Sequence, residues 1–214
     1  MTDTKTLEQG SPEWLQARLG CVSASTIADV MAKGKTGEAV TRQKLKLRLV
    51  AERLTQQPQE SFSNAAMEWG KEQEQFAAMA YEVSRGTFLE RTGWWKHQSI
   101  EWLGCSPDRL VEPDGLVEIK CPNSSTMVAW MLDDKVPSEY IKQIQCQLWI
   151  TGRSWCDFVA YDPRLPIKKQ LWIKRIERDE ELIEKMNAEA VAFLAEVAAI
   201  TNQIEHSADV TKNH

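Results

Sequence analysis

Two carboxylates and a lysine lie close together in a stretch rich in strand-forming residues: Asp108, then Glu118 and Lys120. Between them stands Glu112-Pro113-Asp114-Gly115. Proline suits the first central position of a type I turn, and glycine can take the left-handed conformation that closes a three-residue hairpin loop. That geometry pairs Glu112 with Leu116, Leu110 with Glu118 and Asp108 with Lys120, so Asp108, Glu118 and Lys120 share one face of the hairpin. Carboxylates converging on one face repel each other unless a cation lies between them. Hard oxygen donors without His or Cys suit Mg2+ or Mn2+. The competing reading is a solvated polar sheet face. Against it, Leu116, Val117 and Ile119 mark an apolar, central strand, in which an unpaired Glu118 and Lys120 would be expensive to bury. A third carboxylate joins them from a preceding helix. At about 100° per residue, Glu74 falls in one sector with Met67, Gly70, Ala77, Ala78 and Tyr81, whereas Glu68 and Glu72 point elsewhere.

The composition leaves little room for other chemistry. The 214 residues are 43% hydrophobic and 27% charged, enough for one full-sized domain with a core. Only three histidines occur, two of them (His206 and His214) near the C-terminus, which removes the material for His-Glu zinc hydrolysis or His-activated nucleophiles. The five cysteines are odd in number and form no C-x-x-C pair, so they read as reduced core thiols. A net charge of −5 excludes a uniformly basic nucleic-acid binder, so phosphate contacts would have to come from a local cluster. The polar start and the lack of a long apolar run predict a soluble cytoplasmic protein.

The elements that must position the three carboxylates follow from periodicity and caps. Residues 1–10 and 205–214 read as loose tails around a single domain spanning 1–214. Ser11-Pro12 starts a short helix to about Gly20, and Ser23 to Ala32 carries a second apolar stripe. After the loop KGKTGE, Thr41 caps a helix bearing Leu45, Leu49 and Leu54. Ser63 to Ser84 forms the helix that carries Glu74, with Trp69, Phe76 and Val83 as a second apolar edge, which predicts cover on two sides. Residues 87–120 read as strands, and Ser124 or Ser125 starts a helix through Trp130. Pro137 to Thr151 forms another helix, residues 154–161 and 169–177 form a strand pair, and Asp179 starts a closing helix to about Ile204. The expected fold class is α/β, a mixed sheet with helices packed on it.

Taken together, these residues resemble the PD-(D/E)XK nuclease core in the version found in lambda exonuclease and the YqaJ-type viral recombinases. The motif itself is Pro107-Asp108 followed by Glu118-Ile119-Lys120. The resemblance extends to WLQARLGCVSAS (Trp14 to Ser25), Trp69-Gly70-Lys71 with Glu74, Cys105-Ser106, Cys121-Pro122, Gln143 and Gln145 before Trp149, and Tyr161-Asp162-Pro163-Arg164. It implies a restriction-endonuclease-like core and a Mg2+-dependent 5′→3′ exonuclease that digests one strand of duplex DNA. By this resemblance Asp108, Glu118 and the Ile119 carbonyl would hold one metal ion, and Asp108 with Glu74 a second, Mn2+ being able to substitute. Lys120 would orient or deprotonate the water, and Gln145 corresponds to the family's active-site glutamine. The resemblance further implies a homotrimeric ring around DNA, a single-strand annealing protein as partner, and a phage or prophage origin in the cytoplasm of a bacterial host.

By the same resemblance the N-terminal segment would recognise the DNA end, with Arg18, Ser23 and Ser25 receiving a 5′-phosphate and Trp14 lying toward DNA. The plain alternative makes Arg18 a surface residue and the serines helix caps. Arg42, Lys44, Lys46 and Arg48 concentrate positive charge in an acidic chain and are the expected contacts to the DNA backbone. Gly34-Lys35-Thr36 lacks the glycine and the strand of a phosphate-binding loop, which excludes ATP binding there. His97 reads as a strand-surface residue. Two alternatives share most of these residues: an endonuclease with the same core, which would cut circular DNA, and a non-catalytic DNA-end-binding protein, which would have no reason to keep the complete acidic set.

Overall fold

The computed structural model describes residues 6–59 and 65–207. The N-terminal part is helical: α1 (Pro12–Ala17), β1 (Val22–Ser23), a 3-10 turn (Ala24–Thr26), α2 (Ile27–Val30), α3 (Val40–Thr55) and α4 (Ala65–Arg85). Ser11 accepts the Trp14 N–H and Pro12 occupies the first turn of α1, as its sequence predicts. The segment expected to be helical from Ser23 to Ala32 is instead a short strand, a 3-10 turn and a single α-turn. The expected start of α4 at Ser63 lies outside the described residues.

Then come β2 (Leu89–Glu90), β3 (Trp95–Lys96), β4 (Leu103–Cys105), β5 (Arg109–Val111) and β6 (Gly115–Lys120). The chain continues through α5 (Ser124–Asp133), α6 (Ser138–Thr151), β7 (Trp155–Tyr161), β8 (Leu171–Glu177) and α7 (Glu180–His206). The main sheet has the order β2-β5-β6-β7-β8, and a smaller sheet has the order β1-β4-β3. In the main sheet β6 and β7 run parallel, so α5 and α6 form the crossover between them, while the other pairings are antiparallel. Glycine at 152 stops α6 in the left-handed conformation.

Alternation along β6 and β7 divides the core. Val117, Ile119 and Val159 pack with Ala77, Ala78 and Tyr81 of α4 on one face. Leu116, Phe158 and Ala160 pack with Met127 of α5 and with Ile144 and Leu148 of α6 on the other. The small sheet, α2, α3 and α7 enclose a further cluster that includes Leu49, Leu103 and Phe193.

Four expectations need correction. The β5–β6 hairpin pairs Arg109 with Val117 and Val111 with Gly115, a register two residues away from the expected one. Glu112, not Gly115, takes the left-handed conformation, with φ 52°. Gly115 is required for space: a Cβ there would lie 2.2 Å from the Trp155 ring. A two-residue shift preserves the face, so Asp108, Glu118 and Lys120 still converge. The second edge of α4 is not covered either, with Phe76 and Val83 45% and 86% exposed, because α4 packs on the sheet by one side only. The leader is not wholly loose: Gln9 donates to the Thr92 and Pro107 carbonyls, and α7 holds residues 205 and 206.

Candidate active site

Glu118 is the centre of the arrangement, 1% exposed on the middle strand of the main sheet. Its Oε1 accepts from Lys120 Nζ at 2.5 Å and from Gln143 Nε2 at 2.6 Å, and its Oε2 accepts from Gln147 Nε2 at 2.7 Å. Gln143 and Gln147 are one turn apart on α6 and reach the same carboxylate. Asp108 follows the small sheet and precedes β5, where its Oδ2 accepts the Ile119 N–H at 2.7 Å. Burial pushes the Asp108 carboxyl well above the usual carboxylate range, and the Glu118 charge pushes it further, opposed by Lys120. Burial works against the Lys120 ammonium too, yet the Glu118 and Asp108 charges outweigh it and raise its pKa. Lys120 also lies 5.1 Å over the Tyr140 ring. Left to themselves, these residues hold the lysine charged.

Glu74 stands on α4, which packs on the sheet face opposite Glu118. Its Oε1 accepts from Arg109 Nη1 at 2.8 Å, and the same Nη1 donates to the Asp108 carbonyl at 2.6 Å. Among the described residues no three His, Cys, Asp or Glu side chains are gathered as a ready metal cluster, and Glu74 is engaged by Arg109. The donor chemistry nonetheless fits a hard divalent cation at Asp108 and Glu118: two carboxylates on one face, the first raised by burial and by the charge of the second, meet one ammonium. Gln147 Oε1, buried beside them without a partner, adds an unused oxygen donor.

A small pocket of about 120 Å³ adjoins this centre, lined by Arg18, Ser23, Ser25, Ser106, Gln143 and Gln147, among others. Arg18 stacks 4.2 Å over the Trp14 ring, and burial lowers its pKa, with Arg48 acting in the same direction. Ser23 Oγ and Ser25 Oγ lie 2.9 Å apart, and Trp14 Nε1 donates to Ser106 Oγ at 2.9 Å. The pocket thus offers one guanidinium and several hydroxyls to an anion, and two of its lining residues hold Glu118. A larger cleft of about 960 Å³ lies next to it, with Lys71, Glu74, Arg91, Trp14 and Arg109 on its walls.

The YqaJ-like viral recombinase domain matches residues 13–154, the segment that contains all of these side chains. The chain belongs to this family. It is 44% identical to an alkaline exonuclease (LHK-Exo) from Laribacter hongkongensis over 91% of this chain and 96% of that one, with a TM-score of 0.86. The structure of LHK-Exo in complex with dAMP matches equally well. A phage-related exonuclease from Haemophilus somnus 129PT, 17% identical over 86% of this chain and 96% of its own, shares the fold with a TM-score of 0.70. No curated protein matches. The fold is restriction-endonuclease-like, as the resemblance implies.

Within this YqaJ-like domain, Asp108, Glu118, Lys120 and the Ile119 backbone come together, and Arg18, Ser23 and Ser25 share one pocket. Gln145 does not join them. It donates to the Glu177 carbonyl and accepts the Asp179 N–H, tying β8 to the start of α7, because it points away from the Gln143–Gln147 side of α6. The i, i+4 spacing of Gln143 and Gln147 was the signal for the pair that does reach Glu118. Trp14 is buried beneath Arg18 rather than displayed to solvent. Arg42 is engaged within the fold: with Lys46 it pairs with Glu38 and Glu196, tying α3 to α7. Lys44 and Arg48 lie on the exposed side of α3. His97 accepts the Ser99 and Ile100 N–H groups through Nδ1 and caps a turn.

Proposed function

We propose that this chain is a DNA exonuclease that digests one strand of a duplex from its 5′ end with Mg2+, leaving a 3′ overhang. The observation that carries this reading is the shared wall: Gln143 and Gln147 line the Arg18 pocket and also hold the Glu118 carboxylate. The pocket, of about 120 Å³, is of the size of a terminal phosphate group. Arg18 reads that phosphate through a charge-assisted contact while Ser23 and Ser25 supply hydroxyls. A terminal phosphate carries more charge than an internal diester, which distinguishes an end from the middle of a strand. The relationship to the Laribacter exonuclease supports exonuclease activity on DNA.

At the scissile phosphate, Asp108, Glu118 and the Ile119 carbonyl would hold one cation, and Glu74 with Asp108 would help to hold a second. Bound Mg2+, or Mn2+ in its place, supplies Lewis acidity and neutralises charge that develops in the displacement. Gln143 and Gln147 fix the Glu118 carboxylate. Lys120 donates from its ammonium and orients the attacking water. The proposal includes a homotrimeric ring and a phage-type annealing protein that receives the overhang. Exposed Phe76, Met79 and Val83, in one stripe of α4, offer an apolar face for such assembly.

The test compares linear and closed-circular duplexes, with 5′-phosphate or 5′-hydroxyl ends, with and without Mg2+. Acid-soluble nucleotides are expected only from linear DNA with Mg2+, and faster from phosphorylated ends. Arg18→Ala should remove that preference by slowing attack on phosphorylated ends roughly ten- to a hundredfold. Cutting of circular DNA would support the endonuclease instead. Light scattering is expected to return a trimer.

A further inference from the structure

Arg109 immediately follows Asp108, and its side chain is only 11% exposed, yet it lies in the wall of the large cleft. One nitrogen makes both of its hydrogen bonds: Nη1 donates to Glu74 Oε1 and to the Asp108 carbonyl. Among the described residues, Nε and Nη2 take no hydrogen-bond partner. That edge is the one with which an arginine grips two oxygens of a phosphate side by side. Glu74, in turn, is near enough to Asp108 to raise its carboxyl, but its charge is already answered by Arg109.

We propose that Arg109 is an exchangeable partner for Glu74, which it releases when its guanidinium takes a phosphate of the DNA strand entering the cleft. Without DNA, Arg109 satisfies Glu74 and keeps it from serving a second cation. A phosphate on the free edge draws the guanidinium's charge toward the substrate, and Glu74 becomes available beside Asp108. Loading of the second cation is thereby tied to the presence of DNA, so the free enzyme does not assemble its full cation set. By linkage, DNA and the second cation strengthen each other's binding. This inference rests on the two-cation reading above.

Binding of Mn2+, followed by calorimetry and by electron paramagnetic resonance, separates the possibilities. The proteins are the wild type, Arg109→Met and Arg109→Lys, each with and without a short 5′-phosphorylated duplex in Ca2+-free buffer at low temperature. The wild type should bind one Mn2+ tightly alone and a second about tenfold more tightly with DNA. Arg109→Met should bind the second ion about tenfold more tightly than the wild type without DNA, lose its response to DNA, and show a raised KM with a lowered kcat. These opposite signs, stronger cation binding with poorer turnover, are not the result of removing a mere strut. Arg109→Lys, which keeps the charge on a shorter side chain and lacks the Nε–Nη2 edge, should hold Glu74 less firmly and shift the second ion in the same direction by about threefold, and it serves if the methionine variant does not fold. Unchanged or weaker second-ion binding in the variants would overturn the role of Arg109 and leave the two-cation site standing. A single Mn2+ per subunit in the wild type at saturation with DNA would overturn both.

Discussion

Two carboxylates on neighbouring strands of one sheet, Glu118 on β6 and Asp157 on β7, are both almost fully buried, and they point to opposite faces. Asp157 accepts from Tyr81 Oη at 2.8 Å and from Arg175 through Nε and Nη2 at 2.8 and 3.0 Å, with Arg85 3.8 Å away. One negative charge there meets two guanidinium groups. On the Glu118 face the balance is reversed: two carboxylates, Glu118 and Asp108, meet one ammonium, and the remaining hydrogen bonds to Glu118 come from neutral amides. A buried charge alone therefore does not mark a site. The Asp157 cluster is complete as folded and fastens α4 to the sheet, whereas the Glu118 cluster is short of positive charge and is completed by what it binds.

The largest effect expected from this contrast is on the deficient side. Asp108→Asn and Glu118→Gln should each lower exonuclease turnover by at least about a thousandfold. Asp108→Asn should also raise the stability by about 1–2 kcal/mol in thermal melts without added metal, since it removes a like charge from a buried pair. Lys120→Ala is expected to lose activity without that gain. A destabilised Asp108→Asn protein would break the comparison at its root.

On the complete side, Asp157→Ala should cost about 2–3 kcal/mol in denaturant unfolding, less than a wholly buried pair because Arg175 and Arg85 are each 45% exposed. Tyr81→Phe should cost about 1 kcal/mol. Both proteins should keep wild-type turnover at temperatures where they remain folded. Loss of chemistry in Asp157→Ala would mean that the two clusters are not separate.

The glutamines of α6 sharpen the contrast on a single helix. Gln147→Leu should reduce turnover about ten- to a hundredfold by releasing one oxygen of Glu118. Gln145→Leu should leave turnover alone and cost about 1–3 kcal/mol of stability, since the Glu177 carbonyl and Asp179 N–H lose their partner. Equal kinetic losses in both would count against the assignment.

The smallest effect concerns a surface pair that serves as reference. Hydrogen bonding from Arg42, aided by Lys46, holds the Glu196 pKa down at about 2. A depressed carboxylate stabilises the fold above its unfolded value, near 4.5, and that contribution is lost as pH falls toward 2. Glu196→Gln should therefore show a shallower fall in urea midpoint between pH 5 and pH 2.5 than the wild type. An identical slope would remove Glu196 from the acid response.

The face shared by Asp108, Glu118 and Lys120 was legible because strand alternation has period two, and an error of two residues in register leaves it intact. What the hairpin hid was the reason for Gly115, since only the distant Trp155 explains it. The choice among Gln143, Gln145 and Gln147 depended on how α6 is rotated against β6, a tertiary fact; once Glu118 is fixed, the i, i+4 pair is the one that reaches it. Arg42 and Lys46 looked available for DNA because Glu196, which pairs with both, is at least 150 residues away in the chain. Asp157 carried no local signal at all, standing as it does in an ordinary apolar strand.

The bond from the Ile119 amide to Asp108 extends the reach of the site into the sheet. Where β5 has not yet begun, a side-chain carboxylate takes the place of the neighbouring strand's carbonyl, so a backbone proton of β6 is held by the very group a cation would bind. The nitrogen-15 resonance and exchange rate of that amide consequently register the state of the carboxylate, giving the molecule a native spectroscopic gauge of ion arrival that needs no label in the cleft.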